Sequence, residues 1–163
     1  MQINLDAYDP KPAADLGRPM QLATDKHLLP IFFNVLGQDS DVFAEQIKEN
    51  TRENAALKAS GLYVVVNSPE HVQKQSIRAL ARIITGWWTI VDGKRRDQIT
   101  FNGTDWLDFS HENAKEALSR AWIREQVAMY TLNRANFLPP ASSETPAKSG
   151  EKVSAPTPDA TSK

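Results

Sequence analysis

Two dipeptides that favour tight turns lie close together in the second half of the chain, and they constrain its fold more than any other feature. Asp92-Gly93 and Asn102-Gly103 separate three short segments, 87–91, 95–101 and 104–109, that are rich in aromatic and β-branched residues. Asp-Gly and Asn-Gly are preferred in two-residue hairpin loops because both central positions tolerate a positive φ. The pattern therefore predicts a small antiparallel β meander.

A β segment is also predicted near the N-terminus. Residues 20–23 and 30–36 are short apolar runs bounded by a proline and a glycine, which is typical of strands. Residues 1–5 are a further candidate strand, and residues 7–16 are expected to form a loop.

A polar helix is predicted after these strands. Asp39 or Ser40 can act as its N-cap, and the helix is expected to cover residues 41–59. Its apolar stripe is thin, so we expect the helix to lie at the periphery of the fold. The β-branched run at 62–66 predicts another strand.

Two amphipathic helices are expected to flank the meander. The first begins at Ser68-Pro69-Glu70, with proline at the first helical position, and is expected to end at Thr85 with Gly86 as its C-cap. The second is capped by Ser110 and covers 111–120, and its apolar pattern continues to residue 137. The sequence leaves open whether the chain bends near 119–122. The apolar positions at helical spacing are Val72, Ile77, Leu80, Ala81 and Ile84 in the first helix, and Ala114, Ala117 and Leu118 in the second.

The composition changes after residue 138. The segment 139–163 is rich in Pro, Ser, Thr and Ala and contains no aromatic residue. Such a segment cannot bury enough apolar surface to offset the entropy lost on ordering. We therefore expect a single α+β domain over residues 1–138 and a disordered C-terminal tail over 139–163. The domain is expected to combine a small N-terminal β segment with three to four helices packed against the meander.

Charge and cysteine content exclude several classes of protein. The chain has 163 residues, no cysteine, and 19 Lys and Arg against 20 Asp and Glu. The lack of cysteine excludes thiolate metal sites and a thiol nucleophile. The near-zero net charge gives no basic footprint for nucleic acid. No apolar run is long enough to span a bilayer, and the N-terminus lacks the pattern of a signal peptide.

No catalytic, cofactor or metal site is predicted. His27, His71 and His111 are not spaced as metal ligands, and the last two are expected to face solvent in the first turns of helices. Phosphate-binding glycine loops and nucleophile elbows are missing. The carboxylates Asp39 and Asp41 are attributed to helix capping. The chain is therefore expected not to be an enzyme.

Aromatic residues between positions 87 and 122 are the candidate binding residues. Trp87 and Trp88 are neighbours on a predicted strand, so they cannot both point into one core. Exposed tryptophan is enriched at binding hot spots. The adjacent cluster Lys94-Arg95-Arg96 resembles single-stranded nucleic-acid sites, although a solvated hairpin tip is the simpler interpretation. The predicted protein-interaction residues are Trp87, Trp88, Phe101, Trp106 and Trp122.

A series of short motifs occurs in a characteristic order over roughly residues 20–138. They are Gly37-Gln38-Asp39-Ser40-Asp41 before the polar helix, Gly86-Trp87 at a helix end, Phe101-Asn102-Gly103, the string from Phe109 to Ala114, the string from Trp122 to Val127, and Asn136-Phe137-Leu138. This layout resembles the tail assembly chaperones of long-tailed, siphovirus-like bacteriophages. The order and spacing of the motifs, more than any single residue, carry the resemblance.

The resemblance implies a non-catalytic role in the cytoplasm of an infected host cell. Such chaperones are late proteins that bind the tape-measure protein and keep it soluble until tail tube subunits polymerise around it. The tail tube protein is a second candidate partner, and neither nucleic acid nor a membrane is implied. Many of these chaperones have a frameshifted longer form, for which 139–163 would be the junction. The alternative is a structural tail or head–tail connector protein that stays in the virion.

Overall fold

The computed structural model describes residues 4–139, which form a mixed α+β domain with one sheet layer and one helical layer. The first element of the described residues is a 3₁₀ helix, Leu5–Tyr8, and the last is another, Arg134–Phe137. The elements between them are α1 (Lys11–Leu16), β1 (Arg18–Ala23), β2 (Leu28–Val35), α2 (Asp41–Ala59), α3 (Tyr63–Val66), α4 (Pro69–Ile83), β3 (Ile84–Val91), β4 (Lys94–Arg96), β5 (Gln98–Ile99), β6 (Leu107–Asp108), α5 (His111–Ser119) and α6 (Ala121–Leu132).

The first four strands form one antiparallel sheet in chain order. Phe33 of β2 lies opposite both Met20 of β1 and Trp87 of β3. β3 continues into β4 through the predicted turn, in which Asp92 has a φ of 49° and Gly93 a φ of 73°. These positive values are what a two-residue hairpin loop requires. The N-terminal β segment is therefore half of the main sheet and not a separate unit.

Helices α4, α5 and α6 cover one face of this sheet. The core they enclose is formed by Met20, Leu22, Phe33, Val35 and Trp87 of the sheet and by Leu80, Ile83, Ala114, Ala117, Leu118, Ile123 and Val127 of the helices. The predicted inner positions of α5 are all 0% exposed. Burial of each large aliphatic side chain contributes about 1.5–3 kcal/mol, so this layer contact stabilises the fold.

Serine residues start the three helices for which the sequence predicted a cap. The hydroxyls of Ser40, Ser68 and Ser110 each accept a hydrogen bond from the backbone N–H three residues later, at 3.1–3.2 Å. Ser40, and not Asp39, is thus the cap of α2, which covers the predicted residues. The sequence left open whether the chain bends near 119–122, and the structure shows a break there, because α5 ends and α6 begins around Arg120.

Three local predictions are wrong. Residues 62–66 contain the short helix α3 because they lie at the far end of the α2–α4 hairpin, where no strand is available for pairing. Residues 7–16 contain the second half of the first 3₁₀ helix and all of α1, which has Pro12 in its first turn. α4 ends at Ile83 and passes directly into β3, so Gly86 is a strand residue opposite Asn34 and not a C-cap.

The meander is only partly as predicted. The chain leaves the main sheet after Arg96, and β5 pairs with β6 in a separate two-stranded sheet. The break lets Ile99, which is 0% exposed, reach the core. The indole N–H of Trp87 donates to the carbonyl of Leu107 at 3.1 Å, which attaches the small sheet to β3. The predicted tail and residues 1–3 of the candidate N-terminal strand lie outside the described residues.

Helix α6 closes the free edge of β1. The side-chain amide of Gln126 accepts from the backbone N–H of Ala23 at 2.9 Å and donates to the carbonyl of the same residue at 2.8 Å. The hydroxyl of Tyr130 donates to the carbonyl of Pro19 at 3.0 Å. Edge strands with unpaired backbone groups invite aggregation, so these contacts protect the sheet. Over residues 4–139, no helix combines the length and hydropathy needed to cross a membrane.

Candidate protein-interaction surface

The alternation of side chains along β2 and β3 separates two aromatic pairs. Phe33 and Trp87 point to the helices and are 0% and 2% exposed, with ring centroids 5.7 Å apart. Phe32 and Trp88, one position along, point to the opposite side and are half-buried. Their rings stack at 5.5 Å with an interplanar angle of 6°. The expectation that the tryptophan doublet cannot enter one core is therefore confirmed.

The side of the sheet that carries Phe32 and Trp88 is the candidate surface, which we call the outer face. Its residues are Pro19, Gln21, Phe32, Asn34, Gly86, Trp88, Ile90 and Arg95, and every one is exposed or half-buried. No helix within residues 4–139 buries this face. Aromatic residues and arginine are enriched at the centres of protein interfaces.

Arg95, the one cation among the outer-face residues, contacts both the Trp88 ring and the carboxylate of Asp97. The guanidinium of Arg95 lies 4.3 Å from the centroid of the Trp88 ring, and its Nε is 2.7 Å from a carboxylate oxygen of Asp97. A cation–π contact of this kind contributes about 0.5–1 kcal/mol at an exposed site. Together with the stack on Phe32, this contact favours one orientation of the Trp88 ring.

A concave region of about 540 Å³ opens beside Trp88, and Pro19, Asn34 and Gly86 contribute to its lining. Gly86 has no positive φ, and a Cβ atom added to it would meet no atom within 4 Å. Neither backbone conformation nor packing therefore requires glycine at this position. Its effect is to leave open the space next to the Trp88 ring, into which a partner side chain can insert.

Two further predicted residues are covered by arginines and are not free aromatic surface. The guanidinium of Arg96 lies 3.8 Å from the Trp106 ring centroid, and that of Arg120 lies 3.9 Å from the Phe101 ring centroid. Both rings are half-buried. These contacts attach the loop that contains Phe101 and Trp106 to β4 and α5, so both rings have a role in packing.

The structure does not bring the five predicted interaction residues together. Trp88 lies on the outer face, whereas Trp87 belongs to the core and Trp122, 42% exposed, lies on α6 in the helical layer. Phe32 was missed by the sequence analysis. The same alternation argument that separated the two tryptophans applies to Phe32 and Phe33, and it would have identified this residue.

The basic cluster of the β3–β4 hairpin is not a free cationic patch. Arg95 and Arg96 point to opposite sides of β4 and lie over different rings, and Asp97 compensates the charge of Arg95. Binding of single-stranded nucleic acid requires a continuous basic groove beside the aromatic residues. The geometry therefore favours the simpler interpretation of this hairpin.

The histidines do not form a metal site. Within residues 4–139, no group of three or more His, Asp and Glu residues is arranged to hold a metal ion. His111 is exposed, as predicted. His71 is half-buried, and its Nε2 is 2.9 Å from Oδ1 of Asn54, so the prediction that it faces solvent is wrong.

The two aspartates attributed to capping have other roles. Asp39 accepts two hydrogen bonds from the guanidinium of Arg134, at 2.8 and 2.9 Å. These bonds hold the pKa of the Asp39 carboxyl below its usual range. Asp41 accepts from the ammonium of Lys11 at 2.7 Å, which raises the pKa of Lys11. Both carboxylates thus join chain segments that are distant in sequence.

Comparison with known proteins gives no match to this chain: no family model, no curated protein and no solved structure matches it. The residues and their geometry are therefore the basis of any functional conclusion. They point to a binding surface on the outer face, centred on Trp88.

Proposed function

We propose that this chain is a non-catalytic tail assembly chaperone of a siphovirus-like bacteriophage. It binds the tape-measure protein in the host cytoplasm and keeps it soluble while tail tube subunits assemble. The observation that carries the proposal is the outer face, where Phe32, Trp88 and Ile90 are left uncovered by the helices of residues 4–139. A protein that holds an apolar client in solution needs such a surface on an otherwise polar exterior.

The chemistry of the outer face suits a client whose contact surface is apolar. The stacked rings offer a flat apolar area, and the concave region beside Gly86 can receive one bulky side chain. Asn34 borders this area together with the Arg95–Asp97 ion pair, and its side-chain carbonyl oxygen can accept a hydrogen bond from the backbone of a client. The choice of the tape-measure protein as the client is supported by the motif order that resembles the chaperone family.

Co-expression with the tape-measure protein tests the proposal. Trp88→Ala removes the central ring, and Gly86→Val narrows the concave region at a position where an added Cβ atom meets no atom within 4 Å. Tyr8→Ala is the matched control, because it removes an aromatic side chain that is 66% exposed away from the outer face. Trp87→Ala is unsuitable because that side chain is in the core.

We expect the wild-type chain and Tyr8→Ala to keep the tape-measure protein in the soluble fraction. We expect Trp88→Ala and Gly86→Val, both folded by circular dichroism, to leave it insoluble. If both outer-face variants protect the client as well as the wild type, the site is elsewhere. Mass spectrometry of purified virions tests the alternative, since stoichiometric copies in the particle would contradict the chaperone role and favour a structural tail or connector protein.

A further inference from the structure

The described part of the chain ends beside the outer face. Pro139, the last described residue, lines a depression of about 380 Å³ together with Leu16 and Arg18. Pro19, the residue after Arg18, lies on the outer face and lines the concave region next to Trp88. The segment that follows Pro139 therefore begins near the start of β1, where the depression borders the outer face.

One side chain connects the depression to the concave region. Asn34 lines the concave region, and its side-chain amide donates to the carbonyl of Leu16, which lines the depression, at 3.4 Å. The same amide donates to the hydroxyl of Thr85 at 2.6 Å, and Thr85 also lines the concave region. A chain that continues from Pro139 thus has to pass only this side chain to reach the outer face.

The segment after Pro139 is long enough to reach every part of the outer face. It comprises residues 140–163, and an extended chain spans about 3.3 Å per residue. Because the segment and the face belong to one molecule, the effective concentration of one for the other is about millimolar. A contact with a dissociation constant of about 1 mM is then already populated to a large extent.

One part of this segment matches the chemistry of the outer face. Residues 153–158, Val-Ser-Ala-Pro-Thr-Pro, carry no charge. Prolines at two of its last three positions favour the polyproline II conformation, which has three residues per turn and leaves its backbone carbonyls free. Val153 and Pro156 are three residues apart, so they share one edge of such a helix. Proline-rich segments in this conformation bind grooves that are lined by aromatic residues.

The outer face offers the complementary groups. The Phe32 and Trp88 rings stack at 5.5 Å and present a flat aromatic surface. Within the described part of the chain, the indole N–H of Trp87 is bonded to a carbonyl and that of Trp88 is not. The Trp88 N–H can therefore donate to a carbonyl of a polyproline II segment. Arg95 and Asp97 pair with each other, so the face requires no charge from its occupant.

We propose that residues 153–158 bind the outer face of their own chain as an extended segment, with Val153 and Pro156 packed on the Phe32–Trp88 stack. The segment then covers the apolar rings while no partner is present, and a client has to displace it. The contact itself does not depend on the identity of the client. Its regulatory role, as a competitor of the client, rests on the proposed function.

The chain has four tryptophans and no cysteine, which makes a direct test possible. In the full-length protein, Ala160→Cys places a unique thiol just after the segment, and a nitroxide spin label is attached to it. Each tryptophan indole N–H gives a separate NMR signal, and the nitroxide broadens the signals of nearby groups. The Trp88 signal is assigned by its loss in Trp88→Phe. Trp122, which is 42% exposed on α6, serves as the internal control.

We expect the nitroxide to broaden the Trp88 signal at least about threefold more than the Trp122 signal, since the label is tethered close to the outer face. Pro156→Asp should remove this difference, because a charged group is not packed on the rings without a partner. Ala147→Asp adds the same charge outside the segment and should change the difference by less than about twofold. Both substitutions lie outside the folded domain, so its stability should be unchanged.

Three results would overturn the inference. The first is equal broadening of Trp88 and Trp122, and the second is broadening of Trp88 that Pro156→Asp leaves unchanged. The third comes from a mixture in which one copy carries the spin label and another carries the observed isotope. Equally strong broadening of Trp88 in this mixture would mean that a second copy supplies the segment.

This test contains no client, so its outcome is separate from that of the co-expression assay. If the wild-type chain protects the tape-measure protein but the nitroxide does not broaden the Trp88 signal selectively, only the contact of residues 153–158 is rejected. If the contact is observed but the wild-type chain does not protect the client, the proposed function is rejected and the contact stands.

Discussion

Each face of the main sheet carries one phenylalanine and one tryptophan in a cross-strand pair, but the two pairs differ in burial. On the inner face, Phe33 and Trp87 are buried against the helices, and Trp87 is also bonded to Leu107. On the outer face, Phe32 and Trp88 stack on each other in a similar cross-strand position but stay half-buried. One position along each strand therefore separates the core pair, Phe33 and Trp87, from the surface pair, Phe32 and Trp88.

Substitutions on the two faces should therefore affect different properties: the free energy of unfolding on the inner face and the affinity for a partner on the outer face. Inner-face residues are surrounded by protein on every side, so their removal leaves a cavity. Outer-face residues are covered by protein on one side only, so their removal costs less stability and mainly removes contact area for a partner. Matched substitutions on the two faces can therefore test the assignment of function directly.

The largest effect is expected from the two phenylalanines. Phe33→Ala should lower the free energy of unfolding by about 3–5 kcal/mol, because it opens a cavity in a fully buried core. Phe32→Ala should lower it by about 1 kcal/mol, in line with partial burial of the ring. Urea unfolding followed by circular dichroism measures both. Equal losses for the two variants would remove the distinction between the faces.

The second effect concerns binding. Trp88→Ala should weaken client binding by about 2 kcal/mol or more, which is roughly thirtyfold in the dissociation constant, because central tryptophans dominate interface energies. The same variant should lose about 1 kcal/mol of stability, since the stack with Phe32 is the main packing contact removed. Titration calorimetry with a soluble client fragment measures the binding term. If Trp88→Ala lost as much stability as Phe33→Ala, Trp88 would be needed mainly for folding and not for binding.

The third effect concerns stability at the free edge of β1, where Gln126 of α6 contacts the sheet. Gln126→Ala should lower the free energy of unfolding by about 1–3 kcal/mol, because two backbone groups of Ala23 lose their partner. The exposed neighbour Glu125→Ala is the control and should change stability by less than about 0.5 kcal/mol. Thermal unfolding and light scattering measure stability and aggregation. A Gln126→Ala variant that is as stable and monomeric as the control would show that α6 does not protect the sheet edge.

The fourth effect has the opposite sign. Thr89 points to the inner face, is 6% exposed, and its hydroxyl has no partner among the described residues. Thr89→Val replaces that hydroxyl with a methyl group and should raise the free energy of unfolding by about 1 kcal/mol. Urea unfolding measures the gain. A loss of stability would mean that a solvent molecule or an occupant satisfies the hydroxyl.

The smallest effect lies outside both faces, between α2 and α4. The hydrogen bond from Arg78 holds the pKa of the Glu53 carboxyl below its usual range. A carboxyl whose pKa is lower in the folded state stabilises the fold above its unfolded pKa, and this stabilisation is lost as the pH falls through the folded pKa. The stability difference between the wild type and Glu53→Gln should therefore shrink as the pH drops below about 4.3, the usual pKa of glutamate. Unfolding curves at pH 7 and pH 3 measure this, and a difference that does not change with pH would contradict the ion pair.

Local signals predicted much of the architecture. Caps and turns act within a few residues, so Ser40, Ser68, Ser110 and Asp92-Gly93 were correctly interpreted from the sequence. The prediction failed where distant contacts decide conformation. The run 62–66 has strand-forming residues but no strand to pair with, and Gly86 ends no helix because β2 recruits the chain into the sheet.

The candidate surface was predicted in part for the same reason. Alternation along a strand is local, so the sequence alone required one tryptophan of the doublet to leave the core. Which one leaves depends on the register with β2 and on the side that the helices cover, and Trp88 is the one that stays outside. The predicted roles of Phe101 and Trp106 could not be judged locally, since the arginines that cover them come from β4 and α5.

By itself, the sequence determined the α+β class, three of the helix starts, the Asp92-Gly93 turn and the exclusion of one tryptophan of the doublet from the core, because each depends on neighbours along the chain. Tertiary structure alone decided that the N-terminal strands join the hairpin in one sheet and that Phe32 pairs with Trp88. It also placed Pro139 near the start of β1, beside the outer face. These features depend on contacts between residues far apart in the chain, and such contacts exist only once the helices have covered one side of the sheet.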